Sequence, residues 1–253
     1  MSCQREDQIK ALVRRSYEDP RVIARYISIG LWPSEENLVI EYVPDEARIL
    51  DMGCGAGRTT IPLAEMGLDI VGIDISSPMI QFARQQANLA GVHADFQVMD
   101  SMQLEFPDAS FEVVLYSYNG IELIPGRAGK KKVMAEVLRV LKPGGCFIFS
   151  SHSLFALNRF ALFRLLSFFK LCAGRFAGLP VRERELGERF ADGEDEEVRY
   201  LQVLPPFSLL KMLRQTGFDV IYFNTRKRLE NGSKWGFLGH FEDGERFYVA
   251  RKI

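Results

Sequence analysis

Ile49-Leu50-Asp51-Met52-Gly53-Cys54-Gly55-Ala56-Gly57-Arg58 is an apolar run that ends in an acid and then breaks into glycines at every second position. Glycines at 53, 55 and 57 remove the Cβ atoms that would hold a ligand off the backbone, and the helix-like stretch behind them offers unpaired N–H groups. About 20 residues further on, a second apolar run, Ile70-Val71-Gly72-Ile73, closes in Asp74. In a βαβ unit that spacing sets a carboxylate at the end of the neighbouring strand, where it can accept both hydroxyls of a ribose. A lone strand-end aspartate is more simply a solvated one, but behind a glycine loop the ribose reading is the better.

Dinucleotide sites need G-x-G-x-x-G, with the pyrophosphate on the helix N-terminus. Here Asp51 precedes G-x-G-x-G, and Arg58 and Thr59 follow. On these residues the chain resembles the class I S-adenosylmethionine-dependent methyltransferases, whose first motif reads acid-x-G-x-G-x-G. The likeness continues through Asp74-Ile75-Ser76 with Met79, through Val98-Met99-Asp100-Ser101-Met102, through Phe111 onward to Asn119, and through Arg139-Val140-Leu141-Lys142-Pro143-Gly144-Gly145. Ordered matches of this kind are far more specific than any single motif.

The resemblance implies an α/β fold, a doubly wound, mainly parallel seven-stranded sheet with helices on both faces and an antiparallel last strand. It implies S-adenosylmethionine as cofactor, leaving as S-adenosylhomocysteine. By the same resemblance Gly53 and Gly55, in the loop that Gly57 completes, contact the methionine part, and Asp51 helps orient its ammonium directly or through water. Asp74 takes the ribose hydroxyls and Ile75 packs on the adenine face. Asp100, with the Ser101 and Met102 backbone, meets the adenine edge, and the carbonyl near Ser117 faces the ammonium. Arg58 is read as a contact to the donor carboxylate, against the plainer alternative of a surface cation.

The composition is that of an ordinary globular chain: 253 residues, 47% apolar and 26% charged, which excludes a disordered tail protein and a membrane bundle. A net charge of −1 argues against a generic polyanion surface, so no DNA partner is expected. The first residues, Met1 to Asp7, lack the apolar stretch of a signal peptide, so a cytoplasmic location is expected. Cys3, Cys54, Cys146 and Cys172 are far apart and form no C-x-x-C pair, so neither a disulfide framework nor a metal site is expected.

Residues 1–46 read as a helical arm, with Ile9, Leu12, Val13 and Tyr17 at helical spacing and Ser34 as N-cap of a helix over 35–42. Residues 47–153 form the donor-binding core, in which strands alternate with helices over 77–90 and 127–141. Lys142-Pro143-Gly144-Gly145 ends the second of these, and a strand over 146–150 follows. Residues 154–204 read as a mainly helical insertion, or lid. Within it, 154–179 is aromatic-rich, with Arg159, Arg164, Lys170 and Arg175 inside an arc of about 160° on a helical wheel. Position favours a lid over the acceptor site; contact with an anionic membrane surface is the other reading. The acidic run over 192–197 reads as a solvated turn. Residues 205–253 complete the core, with a helix over 208–216, Gly217 as its stop, and strands over 218–223 and 246–251.

Methyl transfer from a sulfonium is an in-line displacement, so the protein must hold the donor, align a nucleophile about 3–3.5 Å away and exclude water. His152, after Ser150 and Ser151 at the end of the fifth strand, is the candidate base, with a structural histidine as the alternative. Tyr118 and Asn119, ending the fourth strand, are candidates to orient an acceptor by hydrogen bonds. Tyr26 and Trp32 either close over the donor or belong to the core. The chain therefore reads as a methyltransferase acting on oxygen or nitrogen of a small, saccharide- or lipid-linked acceptor. One alternative is an RNA methyltransferase, served by Lys130-Lys131-Lys132 and Arg226-Lys227-Arg228, although short clusters in a neutral chain are usually solvated faces. A non-catalytic donor-binding regulator is the other, and the glycine spacing disfavours an NAD dehydrogenase.

Overall fold

A computed structural model describes residues 3–191 and 199–253. Three helices come first: α1 (Cys3–Ser16), α2 (Pro20–Ser28) and α3 (Pro33–Tyr42). Asp19 caps α2 by accepting from the Arg21 N–H at 2.8 Å. The cap position of α3 belongs to Trp32, whose N–H donates to Glu35 at 3.0 Å, and Pro33 opens the helix. Ser34, expected as the cap, instead lies buried within the first turn, because Pro33 starts the helix earlier.

The core then alternates as the residue pattern demands: β1 (Arg48–Met52), α4 (Thr60–Glu65), β2 (Asp69–Asp74), α5 (Ser77–Ala90), β3 (Asp95–Val98), β4 (Phe111–Tyr116), α6 (Gly126–Val140) and β5 (Leu141–Ser151). α7 (Ala161–Phe176), β6 (Glu188–Phe190) and β7 (Tyr200–Gln202) follow, then α8 (Pro206–Thr216), β8 (Phe218–Thr225), α9 (Arg226–Glu230) and β9 (Arg246–Lys252). The helix expected over 127–141 stops at Val140, and the proline and glycines behind it belong to β5, with a register shift against β4 between Phe111 and Val113. Gly217 ends α8 in the left-handed region, at φ +115°.

Seven strands form one sheet in the order β3-β2-β1-β4-β5-β9-β8. The neighbours from β3 through β5 run parallel, whereas β9 is antiparallel to both β5 and β8. Strands such as Ile49 to Met52 are buried on both faces, which requires cover on both sides. On one face Leu50, Val71, Val114 and Phe147 pack with Val133 and Val137 of α6 and Leu209 of α8. On the other, Ile49, Ile70, Val113 and Ile148 pack with Leu38 of α3 and Leu63 of α4. Strand order reverses between β1 and β4, so the ligand crevice of such a sheet opens at their carboxyl ends.

In the segment read as mainly helical, α7 is joined by an antiparallel pair, β6 and β7. The short alternating runs of that pair carry no strong strand signal of their own. The acidic run over 192–197 lies outside the described residues.

Candidate functional site

β1 delivers the chain to Gly53 and Gly55, both left-handed at φ +63° and +56°. β2 ends at Asp74, β3 runs into Asp100, and β4 into Ser117. Gly53, Gly55, Asp74 and Ile75 thus meet around one cavity, and Asp100, Ser101, Met102 and Ser117 complete it from the neighbouring strand ends. Asp74 accepts from the N–H of Gly55 at 3.0 Å and of Ser76 at 2.8 Å, which fixes the carboxylate at the rim. Burial pushes its pKa up to about 6, against the pull of these N–H donors. Asp100 accepts from the Met102 N–H at 2.8 Å and pairs with Lys10 at 2.7 Å.

The crevice fits an adenosine-bearing thioether or sulfonium. A Cβ on Gly55 would find nothing nearer than the Met79 sulfur at 3.9 Å, so the space over this glycine is open. A Cβ on Gly53 would strike the Tyr116 ring at 2.8 Å, so the turn can lie this close to β4 only as glycine. Asp74 keeps lone pairs beyond its two N–H donors, as a ribose diol requires.

Of the residues expected at the donor, Asp51 and Gly57 do not border the cavity, and Arg58 borders it within an ion pair. Asp51 is fully buried and does not border the cavity; Thr60 donates to one carboxylate oxygen at 2.7 Å and the other oxygen has no partner. Burial pushes its pKa up to about 7. Gly57 faces Ile61, whose Cδ1 stands 2.7 Å from where a Cβ would be, so this glycine serves packing. Arg58 borders the cavity, and three of its five N–H groups are taken by Glu35, at 2.6 and 2.8 Å, and by the Gly30 carbonyl at 2.8 Å, so it is held in an internal ion pair.

Sequence reasoning found Tyr26 but missed the rest of the cover. Lys10 and Val13 of α1 and Tyr17 just after it border the cavity, as do Leu123, Ile124 and Pro125 beyond β4. The spacing of Lys10, Val13 and Tyr17 places them on one helical face, the signal that was available. Tyr26 borders the cavity too, its hydroxyl 3.2 Å from that of Tyr17. Tyr118 lies against Trp32 and Tyr26, with ring centres 4.9 and 5.3 Å away. Asn119 borders neither this cavity nor the larger one beside α7; its N–H donates to Ser150 and its side-chain oxygen is buried without a partner.

His152 faces a second cavity of about 1040 Å³, between α7 and the β6–β7 pair. Its Nδ1 lies 3.2 Å from both carboxylate oxygens of Glu122. That charge raises the imidazole pKa to about 9, so the ring is a cation near neutral pH and has no lone pair with which to act as base. Most of the two basic clusters is engaged within the protein. Lys130 is buried, donating to the Ile124 carbonyl and to Gln202, and burial pushes its pKa down to about 7. Lys132 pairs with Glu6, Arg226 lies over the Trp32 ring at 3.8 Å, and Arg228 pairs with Glu242. Among the described residues, no helix is long and apolar enough to cross a membrane.

A family model described as a methyltransferase domain matches residues 49–145. A demethylmenaquinone methyltransferase of Thermus thermophilus is 34% identical over 111 residues, 43% of this chain and 48% of its own length. The chain spans about half the length of the first curated relatives it matches. A SAM-dependent methyltransferase from Methanosarcina mazei superposes with a TM-score of 0.67 at 23% identity, covering 89% of this chain and 99% of that one. Magnesium protoporphyrin IX methyltransferase from Synechocystis, crystallised with S-adenosylhomocysteine, gives 0.63 at 17% identity over 97% and 100% of the two chains. With its acid-x-G-x-G-x-G loop, its strand-end carboxylates and an antiparallel strand between β5 and β8, the chain matches a methyltransferase domain over residues 49–145 and shares the fold of solved S-adenosylmethionine-dependent methyltransferases.

Proposed function

We propose that this protein transfers the methyl group of S-adenosylmethionine to oxygen or nitrogen of a small, saccharide- or lipid-linked acceptor. The observation that carries the reading is the rim formed by Gly55, Asp74 and Asp100, where open backbone and two carboxylates meet at the strand-order switch. The donor supplies an electrophilic methyl group on a sulfonium. Gly53 and Gly55 let it lie against backbone, Asp74 holds the ribose hydroxyls, and Asp100, Ser101 and Met102 line the adenine edge. Tyr17, Tyr26 and Tyr118 exclude water from the reacting end.

No base is assigned. With His152 held as a cation by Glu122, rate comes from alignment and desolvation, and an acceptor that ionises readily needs no more. The relative named for demethylmenaquinone supports a small-molecule acceptor. The engagement of Lys130, Lys132, Arg226 and Arg228 within the protein leaves, among the described residues, only Lys131 and Lys227 of the two clusters without such a partner, which speaks against RNA. The test is incubation with radiolabelled donor and a fractionated cell extract. Label in the small-molecule or lipid fraction is expected; label confined to RNA or protein would overturn the acceptor class. Donor binding without label in any fraction would favour the regulator reading.

A further inference from the structure

We infer that the second cavity is the acceptor chamber and takes an extended apolar molecule carrying a hydrogen-bond donor, which Glu183 receives. The inference rests on the donor assignment of the first cavity. Phe163, Phe168 and Leu171 of α7 form one wall, and Leu201 and Val203, in and just after β7, form the other. α7 has no buried residue: Phe163, Phe168 and Leu171 face this space, whereas Leu162, Leu166 and Phe169 lie on its other side. A volume of about 1040 Å³ reaches the top of the usual range for small-molecule sites, about 300–1,000 Å³, so a compact ring alone would leave much of it unfilled.

Glu183 points to the ligand's polar group. The residue is 5% exposed; Lys170 donates to one carboxylate oxygen at 3.0 Å, and the other is buried without a partner. A buried oxygen left so is costly unless a donor reaches it. The neighbouring carboxylates are already engaged: Glu185 with the Arg127 N–H and Gln202, Glu188 with Arg5 and Tyr200. The chamber also adjoins the donor site. Glu122 and His152 border it, while Leu123 and Ile124, next along the same turn, border the donor cavity.

The experiment uses the full chain with S-adenosylhomocysteine present and measures displacement of a fluorescent apolar probe by 1-octanol, 1-decanol and 1-dodecanol. Affinity should rise on the order of tenfold for every two methylenes added. 1-Decanol should bind at least several-fold more tightly than its methyl ether, which lacks the donor, and Glu183→Leu should erase that preference. Phe168→Glu, at a wall position open to the chamber, should weaken all three alcohols while leaving S-adenosylhomocysteine binding unchanged. Alcohol affinities independent of chain length, or unaffected by Phe168→Glu, would overturn the chamber assignment and leave the donor site standing. An ether bound as well as its alcohol would overturn the role of Glu183. Failure to bind S-adenosylhomocysteine at all would overturn the donor reading, and the acceptor assignment with it.

Discussion

Arg58 and Glu35 hold each other by two hydrogen bonds, of 2.6 and 2.8 Å, with side chains only 4% and 5% exposed. One residue opens onto the end of the glycine loop and the other sits in the first turn of α3, so a buried ion pair fastens the N-terminal helices to the donor loop. The Arg58 guanidinium also lies 5.4 Å from the Trp32 ring and 5.0 Å from the Tyr118 ring. Removing the cation alone strands a buried carboxylate. Arg58→Met is therefore expected to lower stability by about 3–5 kcal/mol in urea unfolding, and the double change with Glu35→Leu by clearly less. An unchanged unfolding midpoint for Arg58→Met would contradict this account.

The two glycines that look alike in the motif should respond differently to one added methyl group. Gly55→Ala meets open space and is expected to cost about 1–2 kcal/mol, from its left-handed backbone alone, while placing the methyl where the donor lies. Gly57→Ala bears the same strain at φ +88° and also displaces Ile61, so a loss of about 2–4 kcal/mol is expected. S-Adenosylhomocysteine affinity, measured on folded protein, should fall for Gly55→Ala and hold for Gly57→Ala. The reverse order would mean that the loop faces the ligand differently.

The strand-end half of the site was legible because it is local. Gly53, Gly55, Asp74 and Asp100 each follow an apolar run directly, and the sheet carries them to one crevice edge. The half contributed by α1 and by Leu123 to Pro125 was not, because no local pattern says where an amphipathic helix docks. His152 shows the same limit. Its place at the end of β5 was readable, but its charge state depends on Glu122, which only the fold brings beside it. Lys130 read as surface because it adjoins two other lysines, whereas the turn of α6 points it at Gln202 of β7.

The His152–Glu122 pair makes stability depend on pH at alkaline values. The folded-state pKa of His152 is raised to about 9, above its ordinary 6.5, so its contribution is complete below pH 6.5 and is lost as pH rises through 9. Glu122 acts at the other end. Burial opposes its charge, but His152 prevails and holds the carboxyl below its ordinary 4.5, so that contribution is lost only as pH falls below that value. The His152 side chain is 42% exposed, and solvent screening limits the expected effect to about 1–2 kcal/mol. Urea unfolding from pH 6 to pH 10 should show this decline, and His152→Gln should flatten it. A wild-type profile as flat as that of the variant would contradict the pairing.

The central claim is that the crevice between Gly55, Asp74 and Asp100 is the seat of the methyl donor, and calorimetric titration with S-adenosylhomocysteine tests it most directly. The wild-type protein should bind it and give no heat of binding with NAD. Asp74→Ala should weaken that binding by about 1.5–3 kcal/mol, roughly 10- to 150-fold, the scale of hydrogen bonds to a charged group. Binding of S-adenosylhomocysteine that Asp74→Ala leaves unchanged, or no binding by the wild-type protein, would contradict the account.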